Sequence, residues 1–313
     1  MTDKSVKNDG VDAPYISVII PFKNAEQTIG ITLSSVIGQT FKDFEVILVN
    51  DGAEDASQNI VDAISDPRFR VLKNHRSEGP AGAKNRAMKV AKGQILSFLD
   101  ADDFWSPQYL EKVLAIYLRN SNVDVVYAFF IKQINSKLSG SNIYPQVLHQ
   151  GWLCAPSVLS VRSSFLRENN LFWDASYVHS EDDVFSFELS KNACIYALEE
   201  PLVFYGAGPG NISTDKRGRA EGFLRLYMDY EKDIKEKCGS RSYAKHMFTV
   251  AKTFAAEGNF LKANGIFFRS FFRDYVFGKS KLEVDLISPV SDYLSLFKSY
   301  ASWIIKKILW VHR

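Results

Sequence analysis

Three carboxylates occur within four residues at Asp100-Ala101-Asp102-Asp103, directly after the apolar run that ends at Leu99. Hard divalent cations such as Mg²⁺ and Mn²⁺ prefer oxygen ligands, and a nucleoside diphosphate needs its negative charge neutralised. An Asp-x-Asp at the end of a strand therefore suits an ion that bridges the protein and a pyrophosphate. Because Asp-x-Asp alone is a weak pattern, a solvated turn or a cap for the helix near Ser106 remains an alternative.

The chain around these acids alternates between short β-rich runs and helix-period segments. Predicted strands cover residues 16–21, 44–50, 69–72 and 94–99, with predicted helices at 25–38, 56–65 and 79–92. This alternation predicts a parallel α/β sheet. Ligands of such sheets bind beyond the carboxyl ends of the strands, where Pro21-Phe22-Lys23-Asn24, Asn50-Asp51-Gly52 and the Asp100–Asp103 cluster would lie.

Later elements follow a looser pattern. Ser106-Pro107 predicts a helix start, with the helix running to about Asn120 and a strand following at 123–131. A loop or hairpin is expected at 132–144, a strand at 157–161 and helices at 163–169 and 181–190. From about Ala220 the composition is helical to the end of the chain.

The composition excludes several classes of protein. The chain has 313 residues, a net charge of +2, 46% hydrophobic residues and three scattered cysteines without a CxxC pair. These values argue against a disordered chain, a disulfide framework, a zinc site and bulk nucleic-acid binding. The polar start lacks the apolar stretch of a secretory signal, and no window reaches the roughly 18 apolar residues of a membrane span. We therefore expect a cytoplasmic protein.

Four segments, in their order and spacing, resemble glycosyltransferase family 2: Ser17 to Asn24, Ile47 to Gly52, Gly79 to Ala87 and Phe98 to Asp103. The resemblance covers roughly residues 15–215. It implies a GT-A fold, with a mostly parallel central sheet, and an inverting hexosyltransferase that uses a nucleotide sugar.

The resemblance also implies a donor site. Asp51 matches the acid that pairs with the nucleotide base, and a carboxylate can accept the imide N–H of uracil, which cytosine lacks. Asn50 stands where the family usually has an acid. Asp100 and Asp102 match the residues that contact the ribose and the metal, so Asp102 is the predicted ligand of Mn²⁺ or Mg²⁺. Lys84 replaces the usual Arg and would bring charge to the donor phosphates without a bidentate fork, unless it is only a solvated helix residue. The predicted donor residues are Pro21, Phe22, Asn24, Asp51, Lys84, Asp100 and Ala101.

The acceptor side is expected near Trp173-Asp174 and Glu181-Asp182-Asp183, because the family places an aromatic-Asp pair before a Glu-Asp at a helix start. Asp182 is the expected general base, which takes the proton of the acceptor hydroxyl. Glu181 and Asp183 remain alternatives, as does a cluster that serves only the helix dipole. Trp152, Trp173, Asp174 and Glu181 are the predicted acceptor-side residues, and His179 is a candidate metal or phosphate contact.

The glycine-rich stretch at 205–214 and the cations after it predict a loop that closes over the donor, with an interdomain linker as the alternative. Its candidate residues are Asn211, Ser213, Lys216 and Arg217. We expect a polar tail at 1–14, a catalytic domain at 15–215 and a helical region at 216–313. The end of the chain, from Trp303, has apolar residues on one helical face beside Lys306 and Lys307. This pattern fits a membrane-surface helix or a helix that docks on the protein itself.

The expected function is metal-dependent, inverting transfer of a sugar from a nucleotide sugar, with a UDP donor of glucose or galactose type. The acceptor would be a saccharide or lipid-linked saccharide in polysaccharide biosynthesis, met at the inner face of the cell membrane. Alternatives are a non-catalytic sugar- or lipid-binding scaffold and another nucleotide-using transferase. A Rossmann dehydrogenase is disfavoured, because Pro21-Phe22-Lys23-Asn24 stands where its glycine motif would be.

Overall fold

The computed structural model describes residues 13–74, 76–131, 138–206 and 215–276. Its eight strands are β1 (Ile16–Phe22), β2 (Phe44–Asn50), β3 (Phe69–Lys73), β4 (Ile95–Phe98), β5 (Phe104–Trp105), β6 (Val125–Phe130), β7 (Leu159–Arg162) and β8 (Ile195–Phe204). They form one sheet in the order β3-β2-β1-β4-β7-β6-β8-β5. The pairs β1–β2, β1–β4, β2–β3 and β6–β8 are parallel, whereas β7 is antiparallel to β4 and β6, and β5 is antiparallel to β8. The prediction of a mostly parallel α/β sheet is confirmed.

The helices are α1 (Ile29–Ile37), α2 (Ser57–Asp62), α3 (Gly79–Met88), α4 (Tyr109–Arg119), α5 (Tyr144–Gln150), α6 (Ser163–Glu168), α7 (Glu181–Asn192), α8 (Lys216–Asp229), α9 (Glu231–Lys237), α10 (Ser240–Ala256) and α11 (Phe260–Ser270). A 3₁₀ turn at Pro156–Val158 precedes β7, and a π-helical turn at Phe271–Val276 continues α11. Among the described residues, no helix combines the length and apolar character that crossing a bilayer requires.

Two compact units share these elements. The first comprises residues 1–141, 154–175 and 193–209 and contains the sheet; the second comprises 142–153, 176–192 and 210–313 and contains α5 and α7 to α11. The chain therefore enters the second unit twice before residue 210, which differs from the single boundary expected near residue 215. The reason is that α5 and α7 pack against helices of the second unit, with Tyr144 of α5 donating to Asp233 of α9.

The first unit contains buried strands and a helix, α3, whose buried face consists largely of small residues. Every residue of β1 is buried, as expected for a central parallel strand with both faces covered. Helix α3 buries small side chains, among them Ala81, Gly82 and Ala83. Small residues let a helix axis approach the sheet closely, which brings the longer side chains of α3 to the strand ends.

Three sequence predictions were wrong in detail. Helix α4 begins at Tyr109 with Gln108 at its N-cap, not at Ser106 and Pro107. The Ser106 amide instead donates to the Leu202 carbonyl at 2.8 Å, which continues the pairing of β5 with β8. Strands β5 and β8 were not predicted, because β5 has two residues and β8 carries Glu199-Glu200-Pro201 in its centre.

Candidate functional site

The Asp100–Asp103 turn follows β4 in the first unit and is fixed by its backbone. The Asp100 amide donates to Ser157 Oγ at 3.0 Å, and Thr32 Oγ1 donates to the Ala101 carbonyl at 2.9 Å. The Asp103 amide closes the turn on the Asp100 carbonyl at 3.1 Å. These backbone groups of the turn are thus hydrogen-bonded without using the carboxylates. The side chains of the acids therefore determine the electrostatics of the turn.

Burial acts on the acids of this turn. Desolvation, reinforced by the charge of Asp100, raises the pKa of Asp102 to about 6 and that of Asp103 to about 7. The carboxylate of Asp103 accepts the Gly206 amide at 2.9 Å. Gly206 must be glycine in this structure, because a Cβ there would lie 1.6 Å from the Asp102 carbonyl oxygen. The turn therefore concentrates negative charge in a partly desolvated place.

Lys84 is buried beneath the turn. Its ammonium lies 3.7 Å from Asp100 Oδ1 and 4.4 Å from the centroid of the Trp173 ring, and the residue is 1% exposed. Trp173 itself is 2% exposed and packs edge-on against Phe98 at 5.3 Å between centroids. In this structure Lys84 acts on Asp100, and Trp173 is a packing residue and cation partner, so neither presents an open surface to a ligand.

The amide of Asn85, next to Lys84, fixes Trp173 in place. Asn85 Oδ1 accepts the Trp173 amide at 2.8 Å, and Asn85 Nδ2 donates to the Trp173 carbonyl at 2.7 Å. This bidentate contact joins α3 to the segment that carries the aromatic-Asp pair. Asp174, the following residue, is exposed.

The Asp51 carboxylate accepts four hydrogen bonds. The donors are Asn74 Nδ2, Ser77 Oγ and the amides of Glu78 and Gly79, at 2.6 to 3.0 Å. The two amides belong to the first turn of α3, so Asp51 caps that helix. A carboxylate has about four lone-pair sites, and all of them are occupied here.

The first nucleotide-binding turn predicted from the sequence lies at the end of β1. Pro21 and Phe22 are buried, and the Phe22 carbonyl accepts the Asp51 amide at 2.9 Å. Asn24 has a φ of 49°, a left-handed conformation that Asn tolerates, and its Oδ1 accepts the Glu54 amide at 2.9 Å. Asn50 Oδ1 in turn accepts the amides of Gly52 and Ala53. The loops after β1 and β2 therefore form one hydrogen-bonded edge.

The residues of the strand-end turn fit a divalent cation that is shared with a substrate. Among the described residues, no group of three His, Cys, Asp or Glu side chains is arranged to enclose a metal ion. Mg²⁺ is commonly held by one or two carboxylates together with substrate phosphates. Burial and then the charge of Asp100 raise the pKa of Asp102, and a bound cation would favour its ionised form. Asp102 would be the protein ligand of that cation.

The second acidic cluster lies at the start of α7 in the second unit. Ser180, with a φ of 68°, turns the chain into the helix, and Asp182 Oδ1 accepts the Asp183 amide at 3.0 Å. Desolvation and the charge of Asp182 raise the pKa of Asp183 well above its ordinary value, while Arg219 of α8 opposes the shift. Helix α8 thus brings a cation to this cluster.

His179 joins the acidic segment to α8. Its Nε2 lies 3.2 Å from Asp215 Oδ2, and Asp215 also caps α8 by accepting the Gly218 amide at 2.9 Å. A Cβ on Gly218 or Gly222 would lie 2.1 or 2.8 Å from atoms of His179, so both glycines make room for the histidine. The contact with Asp215 gives His179 a structural partner, and its expected contact with metal or phosphate remains a prediction.

The other predicted residues have varied surroundings. Lys216 and Arg217 are exposed in the first turn of α8, and Trp152 is half-buried, with its carbonyl accepting Gln150 Nε2 at 3.2 Å. Asn211, Ser213 and the stretch from Trp303 lie outside the described residues. Sequence reasoning missed Ser157, which fixes the Asp100 amide, and Asp215, which contacts His179. It placed Gly206 in the glycine-rich loop but did not predict its contact with Asp103.

The sheet, with acids at its strand ends, has the arrangement that the resemblance to glycosyltransferase family 2 implied. The sequence profile of Glycosyl transferase family 2 matches residues 17–192, more than half of the chain, and the protein belongs to that family. The chain is 30% identical over 211 residues to the Escherichia coli UDP-Glc:alpha-D-GlcNAc-diphosphoundecaprenol beta-1,3-glucosyltransferase WfgD, an alignment that covers 66% of this chain and 82% of WfgD.

Two solved structures show the same fold. Staphylococcus aureus TarS 1-349, in complex with UDP-GlcNAc, superposes with a TM-score of 0.67 at 17% identity, covering 92% of this chain and 91% of TarS. The mannosyltransferase PcManGT from Pyrobaculum calidifontis, in complex with GDP-Man and Mn²⁺, superposes with a TM-score of 0.59 at 15% identity, covering 93% and 83%. The chain is therefore a glycosyltransferase of GT-A fold, as the sequence predicted.

Proposed function

We propose that this glycosyltransferase transfers glucose from UDP-glucose, with inversion and with the help of Mn²⁺ or Mg²⁺, to a hydroxyl of a lipid-linked saccharide. The observation that carries the proposal is the strand-end turn, which places Asp102 close to Asp100 and where burial and the charge of Asp100 raise the pKa of Asp102 to about 6. Among the described residues this arrangement suits a cation held jointly with a diphosphate. The name of WfgD supports glucose as the sugar and a diphosphate-linked lipid as the acceptor class.

Asp51 supports a uridine donor. An imide N–H can bond to a carboxylate, and Asp51 lies at the loop edge formed by the ends of β1 and β2. All lone-pair sites of the Asp51 carboxylate are occupied in this structure. The uracil base therefore has to displace one of the present hydrogen-bond donors. The Ser77 hydroxyl is the donor that can leave at least cost, because a hydroxyl rotates freely whereas the amides of Glu78 and Gly79 are fixed in α3.

On the donor side, we assign separate roles to the acids of the strand-end turn and to the nearby cations. Asp102 holds the metal, which supplies electrostatic stabilisation to the leaving diphosphate when it is bound. Lys84 holds Asp100 at 3.7 Å, so that the Asp100 carboxylate stays in place beside the ribose. Lys216 and Arg217 lie exposed at the start of α8 and would add positive charge toward the leaving group.

Asp182 is proposed to be the general base. A general base must be deprotonated to accept a proton, and burial and the charge of Asp182, which raise the pKa of Asp183, oppose ionisation of Asp183. Asp182 takes the proton of the acceptor hydroxyl while the hydroxyl oxygen forms a bond to the anomeric carbon. The bond from that carbon to the UDP oxygen breaks in the same displacement, so no covalent enzyme intermediate forms.

Peripheral attachment to the inner face of the cell membrane would bring the enzyme to such an acceptor. The amphipathic sequence at 303–313 motivated this hypothesis, and it lies outside the described residues. Flotation of full-length protein and of a chain ending at residue 299 with liposomes tests it, and equal flotation of both would contradict it.

A donor panel tests the proposed activity. Thermal unfolding is followed with UDP-glucose, UDP-galactose, UDP-GlcNAc, GDP-mannose and dTDP-glucose, each with and without Mn²⁺, and UDP release is measured with a lipid-diphosphate GlcNAc acceptor. A ligand at a hundredfold excess over its Kd stabilises the native state by about 2.7 kcal/mol. We expect the largest Mn²⁺-dependent shift with UDP-glucose. A shift with no nucleotide sugar would instead favour a non-catalytic scaffold.

A further inference from the structure

Helix α11 has one face that packs and one that does not. Ala263 and Phe267 are buried, and the Phe267 ring lies 4.9 Å from that of Phe248 in α10. On the opposite face Leu261 is 91% exposed, Phe268 49% and, in the turn that follows, Phe272 56%. Their spacing of seven and four residues places them in one line along the helix. The protein thus presents a line of three large apolar side chains, which we term the α11 stripe.

Cations lie beside the α11 stripe. Lys262, Arg269 and Arg273 follow its residues by one position each, and on a helix this offset puts them along one flank. Lys262 pairs with Glu221 at 2.6 Å, and Arg273 with Glu231 at 3.0 Å. Within the part of the chain that the structure describes, Arg269 has no ion-pair partner.

The acid of this segment is withdrawn from the surface. Asp274 is 1% exposed and is bound by Lys235 and Arg273. The exposed part of the segment is therefore apolar and cationic. A groove of about 320 Å³ adjoins it, lined by Met228, Met247 and Ile266, by the three cations and by one acid, Glu231, which pairs with Arg273. Apolar walls with basic side chains match a phospholipid, which has an acyl chain and an anionic headgroup.

We propose that the α11 stripe and its basic flank form a surface that binds an anionic phospholipid bilayer. An amphipathic helix of this kind lies in the plane of the interface, with apolar side chains among the acyl chains and cations at the headgroups. Each basic residue near an anionic membrane adds to the attraction. This surface is separate from residues 303–313 and consists entirely of described residues.

Charge favours a bilayer over the two other occupants that the chain itself could supply. A second copy in a two-fold contact would set the same cations against each other. Residues 277–313 carry six Lys or Arg against three Asp or Glu, a net charge of the same sign as that of the basic flank. An anionic membrane complements both the apolar stripe and the cations.

Vesicle flotation of the full chain tests the proposal. We expect wild type to float with phosphatidylglycerol-containing vesicles and much less with pure phosphatidylcholine. The double variant Phe268→Ser/Phe272→Ser should lower the partition coefficient about tenfold or more, because each ring loses its transfer from water. Arg269→Glu should lower it at least about fivefold. Leu261→Asp is a second variant of the stripe that should also lower flotation. It should not impair folding, since Leu261 is 91% exposed and its loss removes no packing.

Leu118→Ser is the matched control, since Leu118 is 52% exposed on α4, among whose described residues no other large apolar side chain is exposed and no apolar line forms. It should float as wild type does. The proposal is overturned if wild type does not float, or if the double variant and Leu261→Asp both float unchanged. A fall in self-association by sedimentation without a change in flotation would overturn it in favour of a contact between copies. UDP release with a detergent-dispersed acceptor should be unchanged in all variants, so failure of the donor assay is a separate result.

Discussion

The two acidic clusters of the protein place the same kinds of side chain in different surroundings. At the end of β4, Asp100 has the buried Lys84 at 3.7 Å, while burial raises the pKa of Asp102 to about 6. At the start of α7, Glu181, Asp182 and Asp183 lie where free helix amides and the helix dipole favour negative charge. In both clusters burial and a neighbouring acid raise a carboxyl pKa, that of Asp102 in the first and that of Asp183 in the second, and each cluster has a cation close by, Lys84 or Arg219. The clusters differ in the element that carries them, a strand-end turn in the first and a helix start in the second.

This difference teaches which cluster needs a ligand. Carboxylates crowded at a strand end are relieved by a divalent cation, which is why the first cluster suits the diphosphate side of the reaction. At a helix start the helix dipole favours negative charge without a ligand, which suits Asp182 as a base. The variants below are arranged to separate these two roles, from the largest expected effect to the smallest.

Asp182→Asn should have the largest effect. Loss of a general base lowers kcat by about 10²- to 10⁴-fold, while Mn²⁺ and UDP should bind as they do to wild type. Steady-state UDP release and calorimetric titration of UDP with Mn²⁺ measure the two quantities. Asp183→Asn is the control and should cost far less activity, and a reversal of that order would move the base to Asp183.

Asp102→Asn should weaken the Mn²⁺-dependent binding of the donor, which Asp182→Asn leaves unchanged. Removing the proposed metal ligand should abolish the Mn²⁺-dependent rise in melting temperature with UDP-glucose and lower the rate of transfer by about a hundredfold or more. Thermal unfolding across a Mn²⁺ series measures it. A variant that keeps the full Mn²⁺-dependent shift would exclude Asp102 as the ligand.

Lys84→Met should weaken the first cluster without removing an acid. Asp100 then loses its buried ammonium, and we expect a loss of about 1–3 kcal/mol in the free energy of unfolding and a higher KM for the donor. Chemical denaturation and donor kinetics measure these effects. Lys89→Met, at an exposed lysine that caps the same helix, should change stability by less than about 0.5 kcal/mol. Equal effects of the two variants would contradict the role of Lys84.

His246 gives the second unit a pH dependence that is independent of its acids. Burial lowers the pKa of His246 to about 3, so the folded protein keeps this ring neutral while the unfolded chain binds a proton below about pH 6.5. Stability should therefore fall as the pH falls, by up to about 2 kcal/mol between pH 7 and 5 from this residue. Denaturation of wild type and His246→Asn measures the slope, which should be shallower in the variant. Equal slopes of the free energy of unfolding against pH in the two proteins would show that the acids, not His246, cause the pH dependence.

The sequence predicted those features that local patterns encode. Strands β1 to β4 and helix α3 were found, with small shifts at their ends, because apolar runs and Gly-Ala spacing are local signals. The positions of Asp100, Asp102 and Asp51 at strand ends followed from the parallel sheet and are seen in the structure.

The surroundings of those acids could not be predicted. Lys84 is as polar as any surface lysine in the sequence, and only the close approach of α3 and Trp173 buries it. The saturation of Asp51 depends on Asn74 and Ser77, which no motif connects to it. Strand β8 was missed for the same reason, since its pairing with β6 outweighs the weak strand propensity of its Glu-Glu-Pro centre.

The stereochemistry of the product tests the central claim most directly. Wild-type enzyme is given UDP-glucose, an α-linked donor, with Mn²⁺ and a lipid-diphosphate GlcNAc acceptor, and the anomeric proton of the transferred glucose is followed by NMR. A single displacement with Asp182 as base predicts a β-linked product from the first turnover. An α-linked product would contradict the account, because it requires a retaining mechanism that a lone base cannot provide.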